Sequence, residues 1–80
     1  MTRVTVLYFA SLREASGTGA EQVESGAADL QALYLELQQR HGFKLPANRL
    51  RVAMGGEFAQ WSDALREGSE IAFIPPVSGG

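Results

Sequence analysis

The sequence predicts an α+β domain with one mixed sheet and one main helix packed on one face. Three observations predict it. One stretch, residues 29–41, repeats apolar residues at helical spacing. Several short runs are instead β-branched, aromatic or alternating, as strands are. The first and last of these runs are the most apolar, which places them side by side at the centre of a sheet.

Residues 4–9, Val-Thr-Val-Leu-Tyr-Phe, form the first strand. Alternation puts Val4, Val6 and Tyr8 on one face, and Arg3, Thr5, Leu7 and Phe9 on the other. Residues 16–19 (Ser-Gly-Thr-Gly) read as a turn, and residues 21–24 as a short second strand. In the helix, Leu30, Leu33, Tyr34 and Leu37 recur at i, i+3, i+4 and i+7. Asp29 is placed to cap its free amides, Arg40 and His41 suit the negative end of its dipole, and Gly42 suits a left-handed stop. Pro46 and Asn48 mark a loop. Leu50, Val52 and Met54 then alternate inward on a third strand. Gly55-Gly56 is a two-residue hairpin signal that pairs Ala53 with Phe58 and turns Phe58 to the outer face. Residues 63–68 are turn-like. Residues 70–74 form the last strand, with Ile71 and Phe73 inward and Ala72 and Ile74 outward, ended by Pro75-Pro76. The order β-β-α-β-β-β around one sheet is the β-grasp arrangement.

Eighty residues make one small domain, residues 1–80, expected to end in a flexible tail over residues 75–80. The chain has no cysteine, so it has no disulfide framework, no thiolate zinc site and no cysteine nucleophile. That fits a cytoplasmic protein. The amino end faintly resembles a signal peptide, but Ser11, Arg13 and Glu14 follow at once without a small-residue cleavage site. No apolar run approaches the roughly 18 residues of a membrane helix. A net charge of −2 with no basic stripe argues against nucleic acid and anionic membrane as partners.

Most catalytic constellations are missing. Gly17 and Gly19 lack the third glycine and the lysine of phosphate-binding loops. His41 is the sole histidine and is expected to be a solvated residue of the last helical turn, so no metal site is expected. Glu21 with Glu24, and Glu67 with Glu70, are expected on solvated surface. Trp61 reads as a packing residue.

Two features carry function. The first is the tail, Pro75-Pro76-Val77-Ser78-Gly79-Gly80. Two terminal glycines arise by chance in about 0.5% of chains, which points away from an ordinary frayed end. Two prolines stiffen the root, and six residues reach about 20 Å when extended. Glycines without a Cβ could thread a narrow channel and present the terminal carboxylate, a poor electrophile until it is converted to a mixed anhydride. The second feature is the outer sheet face. Leu7, Phe9, Ala53, Phe58 and Ile74 project away from the helix, and a contiguous set with two phenylalanines reads as a docking surface.

Residues 6–14 and 65–80 carry a resemblance. A Gly-Ser-Glu turn, an apolar strand and then Pro-Pro-Val-Ser-Gly-Gly are similar to the small, sulfur-carrying subunits of molybdopterin synthase in the ubiquitin-like β-grasp superfamily. Met54-Gly55-Gly56-Glu57 departs from the Asn-Gly-like turn frequent there, and Gly-Gly serves the same turn. The resemblance implies that an ATP-dependent activating enzyme, using ATP with Mg, adenylates Gly80, and that a sulfur donor converts the adenylate to a thiocarboxylate. It implies docking on the synthase large subunit, in a heterotetramer, with the catalytic side chains in that partner and no cofactor on the carrier. Gly80 and Gly79 are then the reactive end. Phe9, Arg13, Phe58, Ile74, Pro75, Pro76, Val77 and Ser78 are the partner-binding residues. Related sulfur carriers for thiamine, cysteine or tRNA thiolation, a β-grasp protein modifier joined to lysines through Gly80, and a plain interaction module remain the alternatives.

Overall fold

The computed structural model describes residues 1–76. In chain order it contains β1 (Thr2–Tyr8), α1 (Ala10–Ser16), β2 (Ala20–Ser25), α2 (Leu30–His41), a 3-10 turn (Ala47–Arg49), β3 (Arg51–Met54), β4 (Glu57–Phe58) and β5 (Glu70–Ile74). The strands form one sheet in the order β2-β1-β5-β3-β4. β5 runs parallel to β1 and antiparallel to β3, so the first and last strands do pair, with β5 at the centre. The β-grasp expectation holds.

The helices cover one face of this sheet. Leu30, Leu33, Tyr34 and Leu37 of α2 are fully buried against Val4, Val6, Val23, Val52, Ile71 and Phe73. Each such leucine contributes about 2 kcal/mol by leaving water. Tyr34 lies within an aromatic group: its ring meets Phe73 edge-on at 5.1 Å and stacks on Phe43 at 5.9 Å. Its hydroxyl donates to the Leu45 carbonyl at 2.6 Å, which satisfies the polar tip in the core. Trp61 stacks on Phe73 at 5.8 Å, as a packing residue should.

Both ends of α2 form as the sequence predicts. The Asp29 carboxylate accepts from the Ala32 amide at 2.8 Å, and Gly42 stops the helix at φ 74° with its amide donating to the Gln38 carbonyl. The hairpin also forms as expected. Gly55 and Gly56 have φ of 64° and 85°, the left-handed pair that a tight hairpin turn needs, and Ala53 pairs with Phe58.

Three readings need correction. A second helix, α1, accompanies the main one. Seven residues with a single buried side chain, Leu12, are too short to show helical periodicity. The first strand therefore ends at Tyr8, and Phe9 becomes the residue that caps α1. The entry into α1 is strained, with Ala10 at φ 50°, a left-handed conformation that costs a non-glycine residue about 1–2 kcal/mol.

His41 and Glu21 are also not solvated surface residues. The His41 side chain is 15% exposed, and its Nε2 lies 2.9 Å from Glu21 Oε1. The same oxygen accepts from the Tyr8 hydroxyl at 2.7 Å, and Arg40 reaches Glu21 Oε2 at 3.4 Å. This cluster ties the start of β2 to the end of α2. Burial pushes the Glu21 carboxyl up. The hydrogen bonds from Tyr8 and His41, with the charges of His41 and Arg40, outweigh it and hold the carboxyl below its ordinary value. Burial, then the hydrogen bond to Glu21, raises the Tyr8 hydroxyl far above the usual tyrosine value.

Candidate docking face and tail root

The pairing register builds the outer face. Leu7 faces Ala20 on one side and Ala72 on the other; Ala72 faces Ala53, and Ala53 faces Phe58. These partners share one side of the sheet, so an apolar row crosses all five strands on the side away from the helices. Its alanines leave the row low, while Phe58 stands out at 69% exposure. The Arg51 guanidinium lies over the Phe58 ring, 5.6 Å from its centroid, which holds the ring in place by a cation–π contact. Ile74, opposite Arg51, is half-buried on the same face.

The parallel β1–β5 pair decides where the chain leaves the sheet. Tyr8 and Phe73 are partners near the ends of their strands, so Phe9 and the Ile74–Pro75 exit lie at the same end of the molecule. Phe9 is 46% exposed there. Arg13, exposed on α1, lies beyond the β1–β2 side of this exit. A Cβ on Gly19 would meet its Nε at 3.4 Å. Pro75 is buried and Pro76 exposed, so within the fold the first proline anchors the root. Val77, Ser78, Gly79 and Gly80, all named as site residues from the sequence, lie outside the described residues.

The fold thus brings Phe58 and Ile74 together on one face. It sets Phe9 and Arg13 at the exit end, off the strand row. Two residues escaped the sequence reading. Arg49 and Arg51, with Ile74, Pro75 and Pro76, line a groove of about 310 Å³ at the tail root. Their alternation at 49 and 51, running into β3, was the available signal. Among the described residues there is no group of His, Cys, Asp and Glu that could hold a metal ion. Nor is any helix there long and apolar enough to cross a membrane.

The ThiS family model matches residues 6–80, nearly the whole chain. The chain belongs to the ThiS family. This ThiS-family chain is similar to the molybdopterin synthase sulfur carrier subunit of Mycobacterium tuberculosis, at 39% identity over all of both chains. Among solved structures it resembles SAMP1, a small archaeal modifier protein from Haloferax volcanii. That match has a TM-score of 0.79 at 27% identity and covers 98% of this chain and 99% of that one. It also resembles a chain in the complex of subunits 1 and 2 of the molybdopterin-converting factor from Helicobacter pylori. There the TM-score is 0.68 at 25% identity, over 99% of this chain and 100% of that one.

Proposed function

We propose that this chain is the sulfur carrier subunit of a molybdopterin synthase, with its sulfur borne on the carboxyl of Gly80. The observation that carries this is the parallel β1–β5 pair, which brings the root of the tail, Ile74 to Pro76, out beside an exposed apolar row that a partner can cover. The Mycobacterium tuberculosis and Helicobacter pylori likenesses support it.

The chemistry follows from the terminus. A carboxylate resists nucleophiles because its charge repels them and its leaving group is poor. On an activating enzyme, a Gly80 carboxylate oxygen attacks the α-phosphorus of ATP and pyrophosphate leaves, giving an acyl-adenylate. Sulfur released from a donor at the sulfide level, as hydrosulfide, then adds to the acyl carbon and AMP departs with the adenylate's oxygen, leaving a thiocarboxylate. Docked on the large subunit through Phe58, Ile74 and Phe9, the carrier presents that sulfur to a pterin precursor. The thiocarboxylate sulfur forms a C–S bond to a pterin carbon as an oxygen group leaves that carbon, and water then cleaves the acyl–sulfur bond and restores the Gly80 carboxylate. The carrier contributes sulfur and a handle; the general acids and bases belong to its partner. The tail glycines leave the tip slim enough for a closed channel.

Deleting Gly80 tests this. The shortened chain should fold normally and transfer no sulfur in a reconstituted synthase assay. Sulfur transfer at the full rate would refute the reading.

The likeness to SAMP1 favours a second reading, a modifier joined to lysines through the same glycine. It predicts isopeptide-linked conjugates, which mass spectrometry of tryptic digests would detect.

A further inference from the structure

Charge is segregated along this fold in a way that the net value of −2 hides. At the tail-exit end, Arg51 opens β3 and Arg49 closes the 3-10 turn. Lys44 follows α2, whose last turn packs on Tyr8 at the end of β1, and Arg13 lies in α1, just beyond β1. All four are exposed, and among the described residues none has a carboxylate within 4.0 Å. Among the described residues, Glu21 at this end is engaged by Arg40 and His41, which leaves Glu14 as the opposing side-chain charge.

The other end is the reverse. Glu70 starts β5, Glu57 starts β4 beside the hairpin, Asp63 meets the start of α2, and Glu67 meets the start of β1. Glu24 and Asp29 add to them. Among the described residues the cations there are the Met1 ammonium, Arg3, paired with Glu24, and Arg66.

Like charges left unpaired on one end repel each other within a Debye length of about 8 Å, so the arrangement does nothing for the fold. It favours an approaching anionic surface, and it does so around the tail. Arg13 lies on the β1–β2 side of the exit, and Arg49 and Arg51 lie on the β3 side. The groove between Arg49, Arg51, Ile74 and the two prolines has apolar walls. A carboxylate seated there is less screened than on open surface and can accept two parallel hydrogen bonds from one guanidinium.

We infer that Arg13, Lys44, Arg49 and Arg51 form a basic collar that docks on acidic residues rimming the tail channel of the activating enzyme. The collar steers the carrier in tail first, while the acidic far end is turned away. This rests on the carrier reading and adds the chemistry of the partner's surface.

The test is stopped-flow association of the full-length chain with its activating enzyme at about 50 to 300 mM salt. The end-point yield of thiocarboxylate is measured on the same samples. The wild-type association rate should fall at least about tenfold across that range. The Lys44→Glu/Arg49→Glu double variant should lose about tenfold at low salt together with most of the salt dependence, and its dissociation rate should change less. Glu57→Lys, an equally large charge change per site at the far end, should leave the rate nearly unaltered. Trp61 fluorescence checks that each variant is folded. Thiocarboxylate forming at a salt-independent association rate would overturn the collar and leave the carrier reading standing. Absence of both association and thiocarboxylate would overturn the two together. Equal effects of Glu57→Lys and the collar variant, or salt-dependent binding of a single-stranded RNA in place of the enzyme, would overturn the collar as a protein-docking device.

Discussion

Phe58→Ala should weaken docking far more than folding, and the structure gives the size of each effect. The side chain is 69% exposed, so about a third of it is already withdrawn from water. A phenylalanine encloses about 200 Å² when fully buried. Losing the covered third, about 60 Å² at about 25 cal/mol per Å², costs the fold at most about 1.5 kcal/mol. Part of that is the contact with Arg51. The open remainder, about 140 Å², is worth up to about 3.5 kcal/mol when a partner covers it. Association recovers only part of such area, so about 2 kcal/mol is the expected loss, close to thirtyfold in Kd. Calorimetric titration against the synthase large subunit gives the binding side. Urea unfolding followed by Trp61 fluorescence gives the stability side. An unchanged Kd with a stability loss above about 2 kcal/mol would show that Phe58 is a core residue and that the outer face is not the docking surface.

Other perturbations address the fold and its electrostatics. Because the folded Glu21 carboxyl sits below its unfolded value of 4.5, its contribution is complete above that pH and is lost as pH falls through the folded value. Glu21→Gln should therefore be less stable at pH 7 and show a flatter acid limb in unfolding curves; an unaltered limb would contradict the clamp. Asp29→Ala removes the acceptor for the Ala32 amide and should cost about 1 kcal/mol in denaturant unfolding, with Asp29→Asn recovering most of it. Gly55→Ala places a Cβ at φ 64°, 3.1 Å from an Arg66 nitrogen. Arg66 can move, but the backbone cannot, so a loss of about 1–2 kcal/mol is expected in the same assay. No loss would mean that the hairpin adopts another turn.

Much of the sheet was legible because its signals are local and agree with one another. Gly55-Gly56 specifies a turn, that turn specifies the pairing of Ala53 with Phe58, and the alternation in residues 50–54 specifies the face. The apolar character of residues 4–9 and 70–74 was enough to pair β1 with β5. What was missed depends on tertiary context. α1 is held by one buried leucine and entered through a strained alanine, neither of which produces a pattern in sequence. The Tyr8–Glu21–His41 cluster joins residues from three separate elements, so nothing near Glu21 in sequence announces its partial burial. The basic end was hidden for a related reason. Arg13, Lys44, Arg49 and Arg51 are scattered along the chain, and the net charge averages them against carboxylates that the fold carries to the opposite end.

The chain contains no cysteine, so in this account its sulfur is held on a backbone carboxyl and by no thiol side chain. Intact-mass measurement of the protein isolated from its own cells tests that most directly, compared with protein incubated with activating enzyme, ATP and sulfur donor. The account predicts one oxygen exchanged for sulfur, localised by fragmentation to Gly80 and absent from the Gly80-deleted chain. An unmodified carboxylate in both samples, or sulfur found elsewhere in the chain, would contradict it.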